Sequence, residues 1–327
     1  MPEAAYEIDL TAPEAGLTVP TSASPQGPAT HTISHGWQFL QRLLSSYSGR
    51  LLCGMPDGTL SLAHILARIG ESPRMALPAE LRIRSQKHLD SLSELGRMDG
   101  GWGRESTPDW SDCLTTCWAI TALENFGWPV PDESYAFVRA CERWDGSFAA
   151  SPANKQQRSA PQAALAATVT AVRVLREINP RTEEYLVHGL STAEPAAASY
   201  ICAEVLDWPA GLASWELLNA ASRLTASLFP EDSAGMADLL RCLLRLRLQR
   251  SWPVSAQLRK LQQPNGSWIG PAAWLSSETQ DKRTPGQLEA ALSTASAVAS
   301  LLLADAQPGL YFGSDLPARR FNEGWRG

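Results

Sequence analysis

The chain has 327 residues, of which 44% are hydrophobic, and 28 basic residues stand against 34 acidic ones, a formal net charge of −6. This hydrophobic share supplies a full core and excludes wholesale disorder. The acidic balance, without a basic run, argues against nucleic acid or an anionic membrane surface as the main partner.

The chain begins with an acidic stretch rich in Pro, Ala, Ser and Thr, so residues 1–33 are predicted to form a flexible N-terminal arm. The stretch lacks the basic and apolar regions of a secretory signal. The longest apolar run, residues 290–306, is too short and too polar to span a bilayer. Six scattered cysteines suit a reducing compartment. We expect a cytoplasmic protein without a transmembrane segment, with one folded domain over 34–306 and a tail over 307–327.

Three stretches share one pattern: an amphipathic helix, a Gly-x-aromatic turn, a polar loop and a second apolar helix. The turns pair Gly100 with Trp102, Gly146 with Phe148, and Gly266 with Trp268. Glycine can take the left-handed conformation that ends a helix, and each of these glycines follows Asp or Asn. The aromatic rings are expected to pack against neighbouring helices, and Gln262 to cap the helix before the third turn.

Strand patterns are nearly absent, and the periodicity predicts about twelve helices. Their predicted starts lie near residues 36, 58, 80, 111, 132, 161, 182, 194, 212, 232, 252 and 287. Helices in outer and inner pairs can close into a double ring, six inside six. The sequence therefore predicts an all-α fold, a single α6/α6 toroid with a central apolar cavity.

Two acids precede the apolar helix LTTCWAITAL, in the stretch Asp109-Trp110-Ser111-Asp112. One interpretation is structural: Ser111 or Asp112 is an N-cap, worth about 1 kcal/mol. The other is functional: Asp112 lines the cavity as an acid whose pKa is raised by burial. Asp109 is either a solvated loop residue or a helper of Asp112.

Tryptophans and small polar residues near these acids are candidates for substrate binding. Trp118 shares a helical face with Thr115, while Trp110 and Trp274 lie in loops before presumed inner helices. Aromatic faces stabilise a developing carbocation. Ser296 lies in a stretch of small side chains, which leave room for a ligand or permit close helix packing. An ordinary aromatic core is the competing interpretation.

No metal or cofactor is expected. The five histidines lack metal-ligand spacing, and magnesium-binding acid clusters of the DDxxD type, Gly-rich phosphate loops and nicotinamide or flavin fingerprints are missing from the sequence.

The stretch LRKLQQPNGSW (258–268) is similar to the QW motif of squalene-hopene cyclases, and GRMDGGWG (96–103) and ERWDGSF (142–148) resemble degenerate copies, the latter with Glu142 at the Gln position. The chain thus resembles a divergent, single-domain member of the prenyltransferase/squalene-hopene cyclase (terpenoid cyclase) superfamily of α/α toroids. In such cyclases the middle Asp of a DxDD motif protonates an alkene, and here Ser111 stands at that position. The zinc ligands of the prenyltransferases include an Asp and a Cys two residues later, a spacing that Asp112 and Cys113 do not match.

The resemblance implies a cyclase acting on an isoprenoid or other hydrophobic polyene intermediate of specialised metabolism, with Asp112, helped by Asp109, as acid or polar anchor. Because a serine hydroxyl is too weak an acid for a C=C bond, two alternatives stay open. One is conformation-enforced ring closure of a non-isoprenoid, for instance polyketide-type, intermediate without a strong acid. The other is a non-catalytic protein that binds a hydrophobic ligand or acts as a scaffold. An α6/α6 carbohydrate-active enzyme is less favoured, because no second acid pair is found. The expected partner is a hydrophobic small molecule, with monomer and homodimer both open.

Overall fold

The computed structural model describes residues 28–72, 77–106, 110–156, 161–228, 230–270 and 287–306. Within these ranges the chain is helical, with isolated bridges but no strand. The helices are α1 (Pro28–Ser46), α2 (Gly49–Cys53), α3 (Gly58–Glu71), α4 (Ala79–Glu94), α5 (Cys113–Asn125), α6 (Asp132–Ala140), α7 (Pro161–Leu175), α8 (Pro180–Thr192), α9 (Pro195–Asp207), α10 (Trp215–Ser227), α11 (Ser233–Arg245), α12 (Ser251–Lys260) and α13 (Gln287–Asp305).

Most predicted helix starts lie within a few residues of the observed ones. The exceptions are at the beginning: α1 starts at Pro28 instead of near residue 36, and the short α2 was not predicted. Proline suits the first turn of a helix, and this signal was missed in a stretch taken for a flexible arm. Ser48 caps α2, its hydroxyl accepting a hydrogen bond from the backbone N–H of Leu51.

Six helices form a closed inner ring. α3 contacts α5, and the contacts continue through α7, α9, α11 and α13 back to α3. The helices α4, α6, α8, α10 and α12 each pack between two consecutive inner helices, and α1 packs on α13 and α4. The predicted all-α fold is confirmed for the described residues, and this order of contacts is consistent with the predicted α/α toroid.

The inner helices are buried along most of their length, as expected of core helices. In α5 every residue from Cys113 to Leu123 is buried. Among the described helices one, over Leu288–Asp305, is long and apolar enough to cross a membrane by composition, and most of it is buried. This stretch belongs to α13, which packs between α11 and α3.

The carboxyl ends of the inner helices meet around one cavity of about 260 Å³. Its lining comes from the last turns of α3, α7, α9 and α11, from the second half of α13 and from the residue after α13, namely Glu71, Arg173, Asp207, Arg241, Arg245, Ala299, Leu303 and Ala306. These five inner helices therefore run parallel, and their amino ends lie together at the opposite end of the ring.

The three Gly-x-aromatic turns share one geometry. Their glycines have φ of +84°, +84° and +91° at Gly100, Gly146 and Gly266. The backbone N–H of each aromatic residue donates to a threonine hydroxyl of the next inner helix: Trp102 to Thr116 (2.9 Å), Phe148 to Thr168 (3.0 Å) and Trp268 to Thr294 (3.0 Å). The indole N–H groups of Trp102 and Trp268 each donate to an outer-helix carbonyl at 2.7 Å, so these turns fasten outer to inner helices.

Gln262 connects the third turn to the first helix. Its side-chain amide donates to the carbonyl of Thr32 in α1 at 2.8 Å and to that of Gly266 at 3.0 Å. The sequence predicted a cap on the preceding helix; the amide instead joins the turn to α1, across 230 residues of chain. At the corresponding place of the second turn, Glu142 accepts a hydrogen bond from Asn179, the N-cap of α8.

Candidate functional site

The loops after the turns cover the amino ends of inner helices. The carbonyl of Arg104 accepts from the N–H of Thr59 in α3 (2.9 Å), and that of Ala150 accepts from the N–H of Cys113 in α5 (2.7 Å). After the third turn, the carbonyl of Ile269 accepts from the hydroxyl of Ser233 in α11 at 2.9 Å. The described parts of these loops therefore lie at the amino end of the inner ring.

Asp112 is the N-cap of α5 at this end. Its Oδ1 accepts hydrogen bonds from the backbone N–H of Thr115 (2.8 Å) and from the Thr115 hydroxyl (2.7 Å). Its Oδ2 lies 3.4 Å from Nε of Arg104. The Nη1 of the same arginine lies 2.9 Å from Oδ1 of Asp57, the N-cap of α3. Burial alone would lower the pKa of Arg104, but Asp112 and Asp57 outweigh it and raise that pKa. Asp112 thus joins two helix ends, and all these contacts use its oxygens as acceptors.

The other members of the Asp109–Asp112 stretch lie apart. The hydroxyl of Ser111 donates to Oδ1 of Asp99 in the first turn, at 2.8 Å. Trp110 is 46% exposed. Asp109 and Trp274 lie outside the described residues, so their predicted roles stay predictions. Among the described residues at this end, the predicted site residues Asp112 and Thr115 are in contact, and the backbone N–H of Asp112 donates to the carbonyl of Trp102 at 2.8 Å.

Trp118 lies deeper in the ring and is fully buried. Its ring packs on His64, with centroids 4.2 Å apart, and the guanidinium carbons of Arg68 and Arg173 lie 4.9 and 5.7 Å from its centroid. Burial and Arg68 hold the pKa of His64 well below its usual value, so the neutral imidazole accepts a hydrogen bond from Arg68 at 3.1 Å. Ser296 is buried separately in α13. The cations nearest Trp118 are therefore arginines of the chain itself.

The sequence interpretation missed a group of charged side chains on the ring axis. We call it the axial cluster: Arg68, Glu71, Arg173, Glu204, Asp207, Asp238, Arg241 and Arg245. Arg68 of α3 binds Glu204 of α9 at 3.0 Å, and both side chains are fully buried. Since α3 and α9 lie opposite each other in the inner ring, this pair crosses the axis. Single charges inside apolar stretches, such as Glu204 in ICAEVL, were the signal that could have revealed the cluster.

Three carboxylates of the cluster are held by arginines. Glu71 binds Arg68 at 2.9 Å and Arg173 at 2.7 Å, Glu204 binds Arg173 at 2.8 Å, and Asp207 pairs with the remaining two arginines, Arg241 and Arg245. Burial alone would raise the pKa of Glu71, but Arg68, Arg241 and Arg173 outweigh it and hold that pKa well below its usual range. Burial of charges in such a cluster is tolerated because each has partners of opposite sign.

Asp238 of α11 is different. Its Oδ1 lies 3.9 Å from Nη2 of Arg68 and 4.0 Å from Nη1 of Arg241, and within the described part of the chain it has no hydrogen-bond partner. Burial raises the pKa of Asp238 to about 7, although the two arginines act in the opposite direction. This carboxyl group therefore changes its charge near neutral pH.

The prediction compares the free energy of unfolding of the wild type with that of Asp238→Asn. The difference, wild type minus variant, should fall by about 2–3 kcal/mol between about pH 5 and pH 8. The pKa of Asp238 is raised from the ordinary 3.8 to about 7 in the folded chain, which therefore binds this proton more tightly than the unfolded chain. The stabilisation is complete below the unfolded value and is lost as the pH rises through about 7. Urea unfolding at several pH values measures it, and subtracting the variant removes contributions from groups such as His64.

The exposed Asp90 supplies the matched control, because Asp90→Asn makes the same side-chain change away from the axial cluster. A difference for Asp238→Asn that stays flat over this pH range would show that Asp238 is ionised throughout.

Cavities lie both at the carboxyl end of the ring and between helices. The 260 Å³ cavity at the carboxyl end is lined by charged residues as well as by α13. A larger one of about 670 Å³ lies between α4, α5 and α6, beside Trp102 and Ser134. An apolar cavity in the middle of the ring stays a prediction. Within the described ranges, no three His, Cys, Asp or Glu side chains are grouped so as to hold a metal ion.

Several solved structures share this architecture. The apo structure of the type II terpene cyclase MstE from Scytonema has a TM-score of 0.59 at 15% sequence identity and covers 86% of this chain and 98% of that chain. The chain has a terpenoid-cyclase-like fold. A variant of MstE in complex with the substrate geranylgeranyl dihydroxybenzoate gives a TM-score of 0.57 at 17% identity, covering 85% of this chain and 99% of that one. A protein from Actinoplanes gives 0.56 at 17% identity, with coverage of 85% and 99%.

At these identities the likeness is one of fold. No family model and no curated protein matches the sequence. The terpenoid-cyclase-like fold therefore agrees with the resemblance inferred from the Gly-x-aromatic turns.

Proposed function

We propose that the chain is a cyclase that folds a hydrophobic polyene inside the toroid and closes a ring in it. The observation that carries this proposal is the shared fold with a type II terpene cyclase along nearly the whole of that chain. The substrate of that relative, geranylgeranyl dihydroxybenzoate, is a prenylated aromatic acid. The substrate class proposed for this chain is accordingly an isoprenoid or a comparable polyene.

The substrate is proposed to enter at the amino end of the inner ring. The axial cluster crosses the ring near the carboxyl end, and its ion pairs leave an apolar chain no favourable path there. At the amino end lie the loops, the half-exposed Trp110 and the capping Asp112. In this proposal Trp118, with Arg68 packed against it, is the floor of the binding space.

Asp112 is proposed as the polar anchor of this site, not as its acid. A carboxyl group that donates a proton must carry that proton on an oxygen directed at the substrate. The oxygens of Asp112 instead accept hydrogen bonds from Thr115 and face Arg104. Holding the start of α5 in place would position the residues that follow it.

A second candidate is ring closure of a non-isoprenoid intermediate without a strong acid. It is favoured by the contacts of the Asp109–Asp112 stretch, since Ser111 donates its hydrogen to Asp99 and Asp112 acts as an acceptor. Enforcing a folded conformation can by itself lower a barrier by several kcal/mol, on the order of 7–11 kcal/mol in well-oriented intramolecular reactions.

The test is incubation of the pure protein with farnesol, geranylgeraniol, their diphosphates, squalene and a geranylgeranylated aromatic acid, followed by mass spectrometry of the organic extract. We expect a cyclic product from at least one of them. Asp112→Asn should retain most of the turnover, because asparagine caps a helix about as well as aspartate. Asp90→Asn is the matched control on the surface.

Complete loss of product in a stably folded Asp112→Asn would instead assign the acid to Asp112. A folded wild type that converts none of these isoprenoids would contradict the first proposal and favour the second.

A further inference from the structure

The cavity of about 670 Å³ lies at the first Gly-x-aromatic turn, and none of its lining residues belongs to the axial cluster. It opens between the end of α4 and the start of α6. Its apolar lining includes the fully exposed Met98, the buried ring of Trp102 and the segment 129–131. A volume of this size, with apolar walls and a few polar groups, is typical of sites that bind small molecules.

The three turns differ at the position four residues before the glycine. Gln262 stands there in the third turn and Glu142 in the second, and each side chain connects its turn to the start of the neighbouring outer helix. In the first turn this position is Gly96, which has no side chain to make the connection. Gly96 lines the cavity, so the cavity lies where the other two turns carry a bridging side chain.

In the third turn the bridging group is a primary amide. The side chain of Gln262 donates to the backbone carbonyls of Thr32 and Gly266. Gly266 also lies close to His35, three residues after Thr32, because an added Cβ at this glycine would clash with the His35 carbonyl. These contacts fix the position of the turn against α1.

The first turn approaches α6 in the same way. An added Cβ at Gly100 would clash with the carbonyl of Glu133, so Glu133 corresponds to His35. Three residues earlier, Val130 then corresponds to Thr32. Gly100 and Val130 both line the cavity. The two residues whose carbonyls a primary amide would bind are therefore present, while the amide itself is missing from the chain at position 96.

Ser134 adds a polar group that lacks a partner. It is 1% exposed and lines the same cavity, and its hydroxyl has no hydrogen-bond partner among the described residues. A buried hydroxyl without a partner is unfavourable, and a ligand that accepts its hydrogen removes this cost. The carbonyl oxygen of a primary amide is such an acceptor.

We infer that this cavity binds a small molecule that carries a primary carboxamide on an apolar body. The amide NH₂ group donates to the carbonyls of Gly100 and Val130, and the amide oxygen accepts from the hydroxyl of Ser134. The apolar body lies against Met98 and the ring of Trp102. The ligand thereby makes the connection between turn and outer helix that Gln262 makes in the third turn.

The ligand is expected to be neutral. The charged residues of the lining are Arg97 and Glu133, which have opposite signs. A carboxylate in place of the carboxamide also lacks the N–H groups that the two backbone carbonyls accept. Charge and hydrogen bonding therefore both favour the amide.

The probe is 3-phenylpropanamide, and its analogues without N–H donors are 3-phenylpropanoate and N,N-dimethyl-3-phenylpropanamide. Isothermal titration calorimetry with the pure protein measures binding. We expect the amide to bind at millimolar concentration or more tightly, and each analogue to bind at least about tenfold more weakly, since hydrogen bonds are lost. Ser134→Ala should weaken binding of the amide about three- to tenfold, the usual effect of one hydrogen bond.

Gly96→Gln tests the location of the site. Its side chain should fill the cavity and supply the missing amide, which abolishes binding of the probe. An added Cβ there would lie 3.2 Å from the ring of Trp102, a contact that a small shift of the ring relieves. The matched control is Gly54→Gln, at an exposed position where an added Cβ meets nothing closer than 3.5 Å, and it should bind the probe like the wild type.

Circular dichroism shows whether each variant is folded. The inference is overturned if the folded wild type does not bind the amide, if all three probes bind equally, or if a folded Gly96→Gln binds the amide as the wild type does. Should Gly96→Gln fail to fold, wild-type affinity in Ser134→Ala overturns it instead.

Discussion

Replacing Arg68 by methionine should lower the free energy of unfolding by about 3–5 kcal/mol, the usual cost of removing one partner from a buried ion pair. The side chain of Arg68 is fully buried and binds Glu71 at 2.9 Å and Glu204 at 3.0 Å. Methionine fills a similar volume but leaves the fully buried Glu204 and the partly exposed Glu71 each with one arginine fewer. Urea unfolding followed by circular dichroism measures the change.

Two further variants show whether charge is the cause. Arg50→Met breaks the surface ion pair of Arg50 (79% exposed) with Glu94 (60% exposed). It should change the free energy of unfolding by at most about 1 kcal/mol. The double variant Arg68→Met with Glu204→Leu removes both charges of the pair that crosses the axis, and should be less destabilised than Arg68→Met alone. A loss below about 1 kcal/mol in Arg68→Met would mean that the cluster is hydrated and contributes little.

Replacing Trp268 by alanine should cost about 3–5 kcal/mol, as usual for a large aromatic side chain deleted from a core. The ring is fully buried and packs on α1, where an added methyl group at Gly36 would come within 2.9 Å of it. Its indole N–H also donates to Leu258 at 2.7 Å. The hydrogen bond from its backbone N–H to Thr294 survives the substitution, so the loss measures the ring alone.

Trp144 offers the matched control, because it follows an equivalent outer helix but is 83% exposed. Trp144→Ala should change the free energy of unfolding by no more than about 0.5 kcal/mol. Equal losses in the two variants would contradict the role of Trp268 as the residue that fastens α12, α1 and α13 together.

The features that the sequence predicted well are the local ones. A glycine after Asp or Asn and before an aromatic residue specifies its turn within a few residues, and Gly100 and Gly266 take the left-handed conformation as expected. The cap at Asp112 was also visible, since capping depends only on the start of the next helix. Helix starts followed from the same short-range signals.

The axial cluster depends instead on which helices lie opposite each other. Arg68 and Glu204 are 136 residues apart, and the sequence around each of them does not indicate which residue it pairs with. The ion pair of Asp112 with Arg104 escaped prediction for the same reason, because Arg104 comes from a loop that returns to the amino end of the ring. The cap at Asp112 is observed, whereas its role toward a substrate stays a proposal.

Closure of the inner ring also bears on how the chain unfolds. In an open array of helical repeats each unit touches only its neighbours, so a terminal repeat can melt while the others persist. Here α13 returns to α3, and Arg68 binds a carboxylate on the far side. Loss of any inner helix would open the ring and expose ion pairs that lose their partners. Partly unfolded states are therefore high in free energy. The toroid is accordingly expected to unfold in one cooperative transition, with amides of early and late inner helices exchanging their hydrogens at similar rates.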